Sequence, residues 1–567
     1  MQWTSITTGK RAWQHRVCHP LEPAPDGTHA VAISAARRRS LALWQMLARE
    51  GKRSLVVGWP ATHGEQTPGV SVVSDRYAEP TAPPGVRPWP SAVRGTYWPE
   101  ELASCLDPLR MSPEDIQADV ISRFIPAWKK IDQKCDRRIG QLRLFLATDF
   151  SYQTAMVRLL TERAWDFAAV RFPALGAISQ VFLPFHPPRG PGVSEEEFSL
   201  YQDVIRQACR LLDQLLHDLI RAAGNETAVM VVSAHGARRR EAPAMKPRPE
   251  DPAAWKSSYG IFAASGPGLA RDALVFGAGV LDVTPTILAW FGLSIGDDME
   301  GRVLIESCVT PPEIRRLDTW EAVKESTSVP GRAITAAAET HPAATALERQ
   351  ADWHLAQSCL DAARYIEALP VLERLFRAFP ERADLAHALF QCQLALRRLP
   401  EAEQTLEVLL EALPGGVLSL LPRAELCAAK GDIPQARSLV EQARQLNPTH
   451  PDSLRRLGLL LLRLREWNLL AELARRALEL DPNDPIAWLG LAEAQLRKRQ
   501  PAEAEEAAVR AIELKYFLPQ AHFVLARALI ARSKWQQASE AMQTLLKLQP
   551  GNRSAAAYFK RVRKTQS

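Results

Sequence analysis

Apolar positions follow two different rhythms along the chain. In the first half, short apolar runs bounded by Gly- and Pro-rich stretches alternate with longer segments of helical period, a pattern that predicts an α/β domain. Ser54–Val57, Leu142–Ala147, Phe167–Phe172, Ala228–Ser233 and Gly260–Ala264 read as strands. Ser40–Glu50, Pro113–Lys130, Tyr152–Glu162, Glu195–Ala223 and Val283–Trp290 read as helices. Within Glu195–Ala223, the residues Val204, Ala208, Leu211, Leu212, Leu215 and Leu219 recur at helical spacing and form a stripe expected to face the core. Residues 307–348 mix Pro, Thr, Ser, Glu and Ala with little apolar period, as a linker does.

In the second half the rhythm is a repeat. Pro380, Pro414, Pro448, Pro482 and Pro550 share one frame, with steps of 34, 34, 34 and 68 residues. Twelve residues before each mark, counting the skipped frame at Tyr516, stand Ala368, Ala402, Ala436, Leu470, Ala504 and Ala538. Small residues let two helices of a hairpin approach closely, and proline ends the second helix because it has no amide hydrogen to donate. This pattern resembles the tetratricopeptide repeat, a helix–turn–helix unit of 34 residues. Six units are expected, 349–382, 383–416, 417–450, 451–484, 485–518 and 519–552. The third is the weakest, since Pro422 falls where its first helix should begin, and a polar capping helix is expected over Ala555–Lys564.

The resemblance implies a solenoid that binds a protein or peptide along its inner face. Inward positions of the first helices are Trp353, Gln357, His387, Gln391, Leu421, Glu425, Arg455, Leu459, Leu489, Glu493, Phe523 and Arg527. The Lys and Asn with which some members clamp a terminal carboxylate are absent from these positions. Trp353 and Phe523 serve equally well as packing residues between units, and both roles stay open.

Composition adds limits. A formal charge of +6 on 567 residues leaves no basic face, so nucleic acid is not an expected partner, and the short clusters Arg37–Arg39 and Arg238–Arg240 read as solvated. No apolar run approaches the roughly 20 residues of a membrane helix, so no membrane is expected as partner. The eight cysteines contain no C-x-x-C pair, and the N-terminus has no signal-peptide pattern. A soluble, cytoplasmic protein with free thiols is the expectation.

Several phrases in the first half then occur in a telling order. They are Trp3-Thr-Ser-Ile-Thr-Thr-Gly-Lys10, Val56-Val-Gly-Trp-Pro60, Val72-Val-Ser-Asp-Arg76, Leu183-Pro-Phe-His-Pro-Pro188, Val231-Val-Ser-Ala-His-Gly236, Tyr259-Gly-Ile-Phe-Ala-Ala-Ser-Gly-Pro-Gly268 and Leu281-Asp-Val-Thr-Pro-Thr-Ile-Leu288. Together they resemble the type I phosphodiesterase and nucleotide pyrophosphatase branch of the alkaline-phosphatase superfamily, over residues 1–306. The implied fold is a sheet flanked by helices. The implied chemistry uses two divalent metals about 4 Å apart, held by aspartate and histidine, with a Thr or Ser nucleophile.

The metal-binding positions depart from that pattern. The family's Ser-Asp-His-Gly stands here as Ser233-Ala234-His235-Gly236. Its central aspartate and histidine fall on Gly176 and Gln180, and its later histidine falls on Lys256. Only His235 keeps a ligand type, and one neutral imidazole does not retain a divalent ion against water. The family's first metal-binding aspartate and its nucleophile belong to a strand upstream of the Trp3 phrase. Deleting a central strand from a parallel sheet is costly, so a start upstream of Met1 is expected.

His235 is expected to be a satisfied residue at a strand end. The exchange to Lys256 also raises a metal-free anion pocket shared with His235. Asp282 is expected to cap the helix after it, His15 and His186 to be structural, and His63 and Glu65 to face solvent from a loop. No phosphate-binding glycine loop occurs. The sequence thus points to a scaffold with an inactive phosphodiesterase-like domain, no catalytic or metal-binding residues and no cofactor. The alternative is an active metal-dependent phosphodiesterase whose zinc or other divalent-metal site has been rebuilt.

Overall fold

The computed structural model describes residues 1–24, 30–79, 91–190, 192–237, 256–257, 259–275, 277–322, 342–413, 415–516, 518–548, 555 and 558. The chain forms two compact units, one of Met1–Leu274 with Val280–Ala351 and one of Val275–Gly279 with Asp352–Ser567.

The first unit is built on a four-stranded sheet in the order Tyr97–Trp98, Val70–Val73, Ser54–Val57, Phe167–Val170. The last three strands are parallel, and Val56 sits beside both Val72 and Ala169. Ser54–Val57 is buried throughout, as the near-continuous apolar run of a strand covered on both faces should be. Its side chains alternate between two cores. Leu55 and Val57 meet Tyr152, Met156 and Leu159 of one long helix. Val56 meets Trp44, Met46, Leu47 and Leu288 on the opposite face. A separate antiparallel pair joins Val229–Ser233 to Ile261–Ser265, and a short hairpin pairs Gly236–Ala237 with Lys256–Ser257.

Three predicted elements differ. Leu142–Ala147 is not a strand but part of the 25-residue helix Arg138–Glu162, in which Ile139, Leu142, Leu146, Tyr152 and Met156 are buried at helical spacing. A short apolar run carries both readings, and the flanking period decides. Pro113–Lys130 is broken into short pieces around the helix Ala118–Phe124. Glu195–Ala223 is two helices, Glu195–Tyr201 and Val204–Ala223, and only Val204, Ala208, Leu215 and Leu219 of its stripe are fully buried.

Polar side chains stitch this unit together. Asp282 stands at the start of Val283–Trp290 but does not cap it with a side-chain bond; its Oδ1 accepts the backbone N–H of Arg302 at 2.8 Å. Thr284 donates to the carbonyl of Ile6, and Thr286 accepts from the N–H of Leu304. Glu65 is not solvent-facing: it is 6% exposed and pairs with Arg38 at 2.7 Å. Burial pushes its carboxyl up, but Arg38, Thr67 and Trp44 more than offset this and hold it below the usual range. His63 is half-buried, and burial with Arg76 nearby lowers it to about 4. Arg37, within the arginine cluster read as solvated, pairs with Glu22 at 2.9 Å.

The stretch expected to open a linker packs on this unit as far as it is described. Arg316–Leu317 pairs in parallel with Ile295–Gly296. Trp320 is 6% exposed, donates to the carbonyl of Ser294 at 3.1 Å and accepts from Arg49 through its own carbonyl. Residues 323–341 of the expected linker lie outside the described residues, as do Arg238–Arg240, Pro414 and Pro550.

The second unit is a stack of helical hairpins. First helices begin at Ala383, Val417, Pro451, Pro485 and Pro519, and second helices at Tyr365, Leu399, Ile433, Trp467, Pro501 and Trp535, each series stepping by 34 residues. All five frame alanines are fully buried, and Leu470, at the fourth position, is 2% exposed. Pro422 does not break the third unit, because the helix Val417–Lys430 runs through it with Leu421, Ala424 and Ala428 buried in the shared core. Tertiary burial there overrides the local helix-breaking preference. The expected capping helix lies outside the described residues except for Ala555 and Tyr558.

The joint between paired helices repeats as strictly as the proline frame. Ala363, Arg397, Gly431, Arg465, Arg499 and Ser533 all have positive φ, between 54° and 88°, again at steps of 34 residues. After each, a backbone N–H returns five residues, as from Arg398 to Gln393 and from Glu466 to Leu461, both at 2.9 Å. This is the left-handed helix end that glycine suits best. At Arg465 and Arg499 the side chain makes that backbone costly, by roughly 1–2 kcal/mol against glycine's loss of flexibility of about 0.5–1 kcal/mol. Each Arg→Gly exchange is therefore expected to stabilise the array by about 0.5–1 kcal/mol, and the thermal midpoint of the full chain checks it.

Candidate functional site

The carboxyl ends of parallel strands are where open α/β sheets bind ligands. Three of the phrases quoted above meet there: Val56–Pro60 and Val72–Arg76 end two of the strands, and the Trp3 phrase touches the first of them. Val57 is followed by Gly58, with φ +67°, where a Cβ would lie 2.8 Å from the Tyr152 ring. Trp59 next to it donates to the carbonyl of Trp3 at 3.3 Å and meets the Trp3 ring edge-on at 5.5 Å. Gly260 has a similar reason: a Cβ there would lie 1.8 Å from the carbonyl oxygen of Ser233.

Gly176 and Gln180 lie on the helix Ala174–Phe182, which follows Phe167–Val170. This helix packs against the Gly236–Ala237 strand, immediately after Ala234 and His235. Gln180 is exposed and Ala234 is buried. His235 is half-buried, with its Nδ1 3.1 Å from the carbonyl oxygen of Gly236, and the Ser233 hydroxyl donates to its carbonyl at 2.7 Å. Lys256 pairs with Ala237 through the backbone, and its side chain lies outside the described residues. Glycine, alanine and a carboxamide give no charged oxygen or imidazole donor, so these positions do not fit a divalent metal. Among the described residues no three His, Cys, Asp or Glu side chains converge as a metal site.

Three charged residues near this sheet end escaped the sequence reading. Arg171 directly follows Phe167–Val170; its guanidinium lies 5.2 Å over the Trp3 ring, and its buried Nε has no acceptor. Burial pushes the Asp75 carboxyl up to about 7 and the Asp149 carboxyl up to about 8, and the charge of Arg171 only partly opposes this. Asp149 accepts the N–H of Ala174, at the start of the Gly176 helix, at 3.1 Å. For Asp75 and Arg171 the signal available in the sequence was position, since a charge in the residue or two after an apolar strand points at the ligand end of the sheet; Asp149, within the Arg138–Glu162 helix, carried no such signal. An open cleft of about 650 Å³ lies at the other ends of these strands, lined by Arg53, Gly69 and Trp98.

Residues 1–243 match the family model described as type I phosphodiesterase / nucleotide pyrophosphatase, and residues 360–420 and 473–506 match tetratricopeptide-repeat models. The chain carries a type I phosphodiesterase domain followed by tetratricopeptide repeats. No curated protein matches it significantly. Solved structures similar to it include the first tetratricopeptide domain of Spaghetti (RPAP3) bound to an HSP90 peptide, at 20% identity over 20% of this chain and 92% of that one, TM-score 0.20. YrrB, a TPR protein with an unusual peptide-binding site, is 17% identical over 33% of this chain and 97% of its own, TM-score 0.25. The Cut9–Hcn1 tetramer of the APC/C is 15% identical over 38% and 42%, TM-score 0.33.

In the tetratricopeptide array, the inward positions separate into two kinds. Leu421 and Leu489 are 0% and 7% exposed and belong to the repeat core, so they do not line a groove as the sequence suggested. Glu425 accepts from Gln391 at 2.6 Å and from Arg456 at 2.9 Å. Glu493 pairs with Arg497 at 2.8 Å and Arg527 at 3.0 Å. Trp353 carries the Arg382 guanidinium over its ring at 5.7 Å, and Phe523 packs edge-on against Tyr558. Gln357, Arg455 and Leu459 are exposed, and His387 is half-buried. Among the described residues, no helix is long and apolar enough to cross a membrane.

Proposed function

We propose that this chain is an adaptor, in which a phosphodiesterase-type domain without catalysis is joined to a repeat array that binds a protein or peptide. The observation that carries this reading is the identity of the side chains at the family's metal positions. Gly176, Gln180 and Ala234 carry a hydrogen, a carboxamide and a methyl group, and His235 alone keeps an imidazole. Two doubly charged ions need several anionic or imidazole donors, and no step of metal-assisted hydrolysis can be built from this set. The array supports the other half of the reading, because hairpins stacked in one register align their first helices into a continuous inner face.

Metal analysis of the purified full chain, with assay of a nitrophenyl phosphodiester, tests it. The expected result is substoichiometric zinc and manganese and no turnover above buffer. One to two equivalents of metal with turnover would end the reading.

A further inference from the structure

We propose that one edge of the repeat array, the row of joints between paired helices, docks an extended acidic segment of a partner protein about ten residues long. This edge is separate from the inner face and does not depend on that face binding a peptide.

Hairpins stacked in one register bring every joint to one edge and the turns between units to the other. The joints, at 362–364, 396–398, 430–432, 464–466, 498–500 and 532–534, hold nine Lys and Arg against two acids. The turns, at 379–382, 413–416, 447–450, 481–484 and 515–518, hold two against three. The small net charge of the whole chain hides this segregation. Four of the nine cations are engaged, Arg364 with Glu367, Lys430 with Glu403, and Arg532 and Lys534 with Glu505. Both joint acids are engaged as well, Glu466 by Arg437 at 2.7 Å and Asp432 by the N–H of Gln435 at 3.1 Å. Arg397, Arg398, Arg465, Lys498 and Arg499 are exposed, and none has a carboxylate partner among the described residues. Arg397 donates to the carbonyl of Ala429 at 3.0 Å, which leaves its charge unopposed. Two exposed acids stand near the row, Glu401 and Glu503 in the first turns of second helices, so the surplus is positive.

Three of these five cations, Arg397, Arg465 and Arg499, occupy the left-handed position itself, with φ between 61° and 62°. The Arg465 and Arg499 side chains make no bond among the described residues, so within the fold they only cost stability. An outlier of this kind points to a use beyond folding.

The spacing of the row selects the occupant. Successive first helices touch, as the Gln391–Glu425 and Glu493–Arg527 contacts show. Helices in contact lie about 8–10 Å apart, so Arg465 and Arg499 are one such step apart and Arg397 stands two steps before Arg465. A chain in the polyproline II form brings its side chains back to one face every third residue, about 9.3 Å apart. A run of acids in that form therefore sets carboxylates against Arg499, Arg465 and, past Gly431, Arg397, and a guanidinium takes a carboxylate with two parallel hydrogen bonds. Arg398 and Lys498 add to the attraction, and a basic segment is repelled.

The test is titration of decaglutamate into the full chain at low ionic strength. Binding is expected, and it falls with added salt. Arg465→Gly combined with Arg499→Gly weakens it about tenfold while the thermal midpoint holds or rises, because glycine suits both joints. Arg398→Glu combined with Lys498→Glu, outside the left-handed positions, weakens it as well, and Lys515→Ala at the opposite edge leaves it unchanged. Absence of binding, or equal binding by both double variants, overturns the proposal. Decathymidylate bound as tightly as decaglutamate, with the same losses, overturns it too and makes the edge a nucleic-acid site.

Discussion

Lys10→Met is expected to destabilise the first unit by about 3 kcal/mol, the low end for a broken buried ion pair. The Lys10 side chain is 4% exposed, and its Nζ lies 2.6 Å from both Asp298 and Glu321. The Thr319 hydroxyl lies 2.8 and 2.6 Å from the same two carboxylates and shares its one proton between them, and Glu321 also accepts the N–H of Leu41. Burial pushes the Glu321 carboxyl up, but the bonds from Lys10 and Thr319 outweigh it and hold it below its ordinary value. Removing the ammonium leaves two anions facing each other. The cost stays at the low end because both carboxylates are about a third exposed, where water screens them. Guanidinium unfolding of the full chain measures it. Restoring stability by adding Asp298→Asn and Glu321→Gln would place the loss in charge rather than packing. A loss below about 1 kcal/mol would mean the triad is an ordinary surface contact.

Asp149→Asn is expected to act in the opposite direction, and increasingly as pH rises above 4. The folded state holds the Asp149 proton up to about pH 8, whereas an unfolded aspartate releases it near its ordinary value of 3.8. Between those values the folded state binds the extra proton, so stability falls as pH rises, by about 1.4 kcal/mol per unit at most. Asparagine removes this slope and keeps an oxygen for the N–H of Ala174. At pH 7.5 the variant should be more stable by about 5 kcal/mol, and near pH 4 the two proteins should coincide. If instead Arg171 keeps Asp149 ionised in the folded state, the variant will be less stable at every pH above 4.

Asp75, pushed up to about 7, contributes a slope of the same sign. His15 and His63 contribute the reverse. Burial lowers them to about 3 and about 4, so the unfolded chain takes up their protons first as pH falls below 6.5. Between pH 4 and 6.5 the pairs oppose one another, and the alkaline side carries the uncompensated fall.

The repeat array was legible in the sequence because its signal is periodic. Pro and Ala marks in one frame need no knowledge of neighbours. The left-handed joints were not legible, because five of the six residues there are neither Gly nor Asn. Their conformation is imposed by the packing of the hairpin around them. In the first unit, Ser54–Val57 and Val283–Trp290 came out with the observed bounds, since one is a buried parallel strand and the other a compact apolar helix. Leu142–Ala147 failed because six apolar-rich residues satisfy strand and helix periods alike, and only the 25-residue context separates them. Glu65 failed for another reason. Its partners Arg38 and Trp44 are 27 and 21 residues away, and composition near a loop cannot reveal a buried ion pair across it.

The residues by which this domain is recognised end before the residues by which it holds together. Family phrases run to Leu288. The chain then needs Arg316–Leu317 to complete a strand pair, Trp320 to fill a pocket beside Ser294, and Glu321 to neutralise Lys10 at the opposite end of the same unit. A polypeptide severed after residue 306 would retain every diagnostic motif and lose its clasp. Whatever is inherited, exchanged or expressed as one piece must therefore reach Ala322, past the point where resemblance stops.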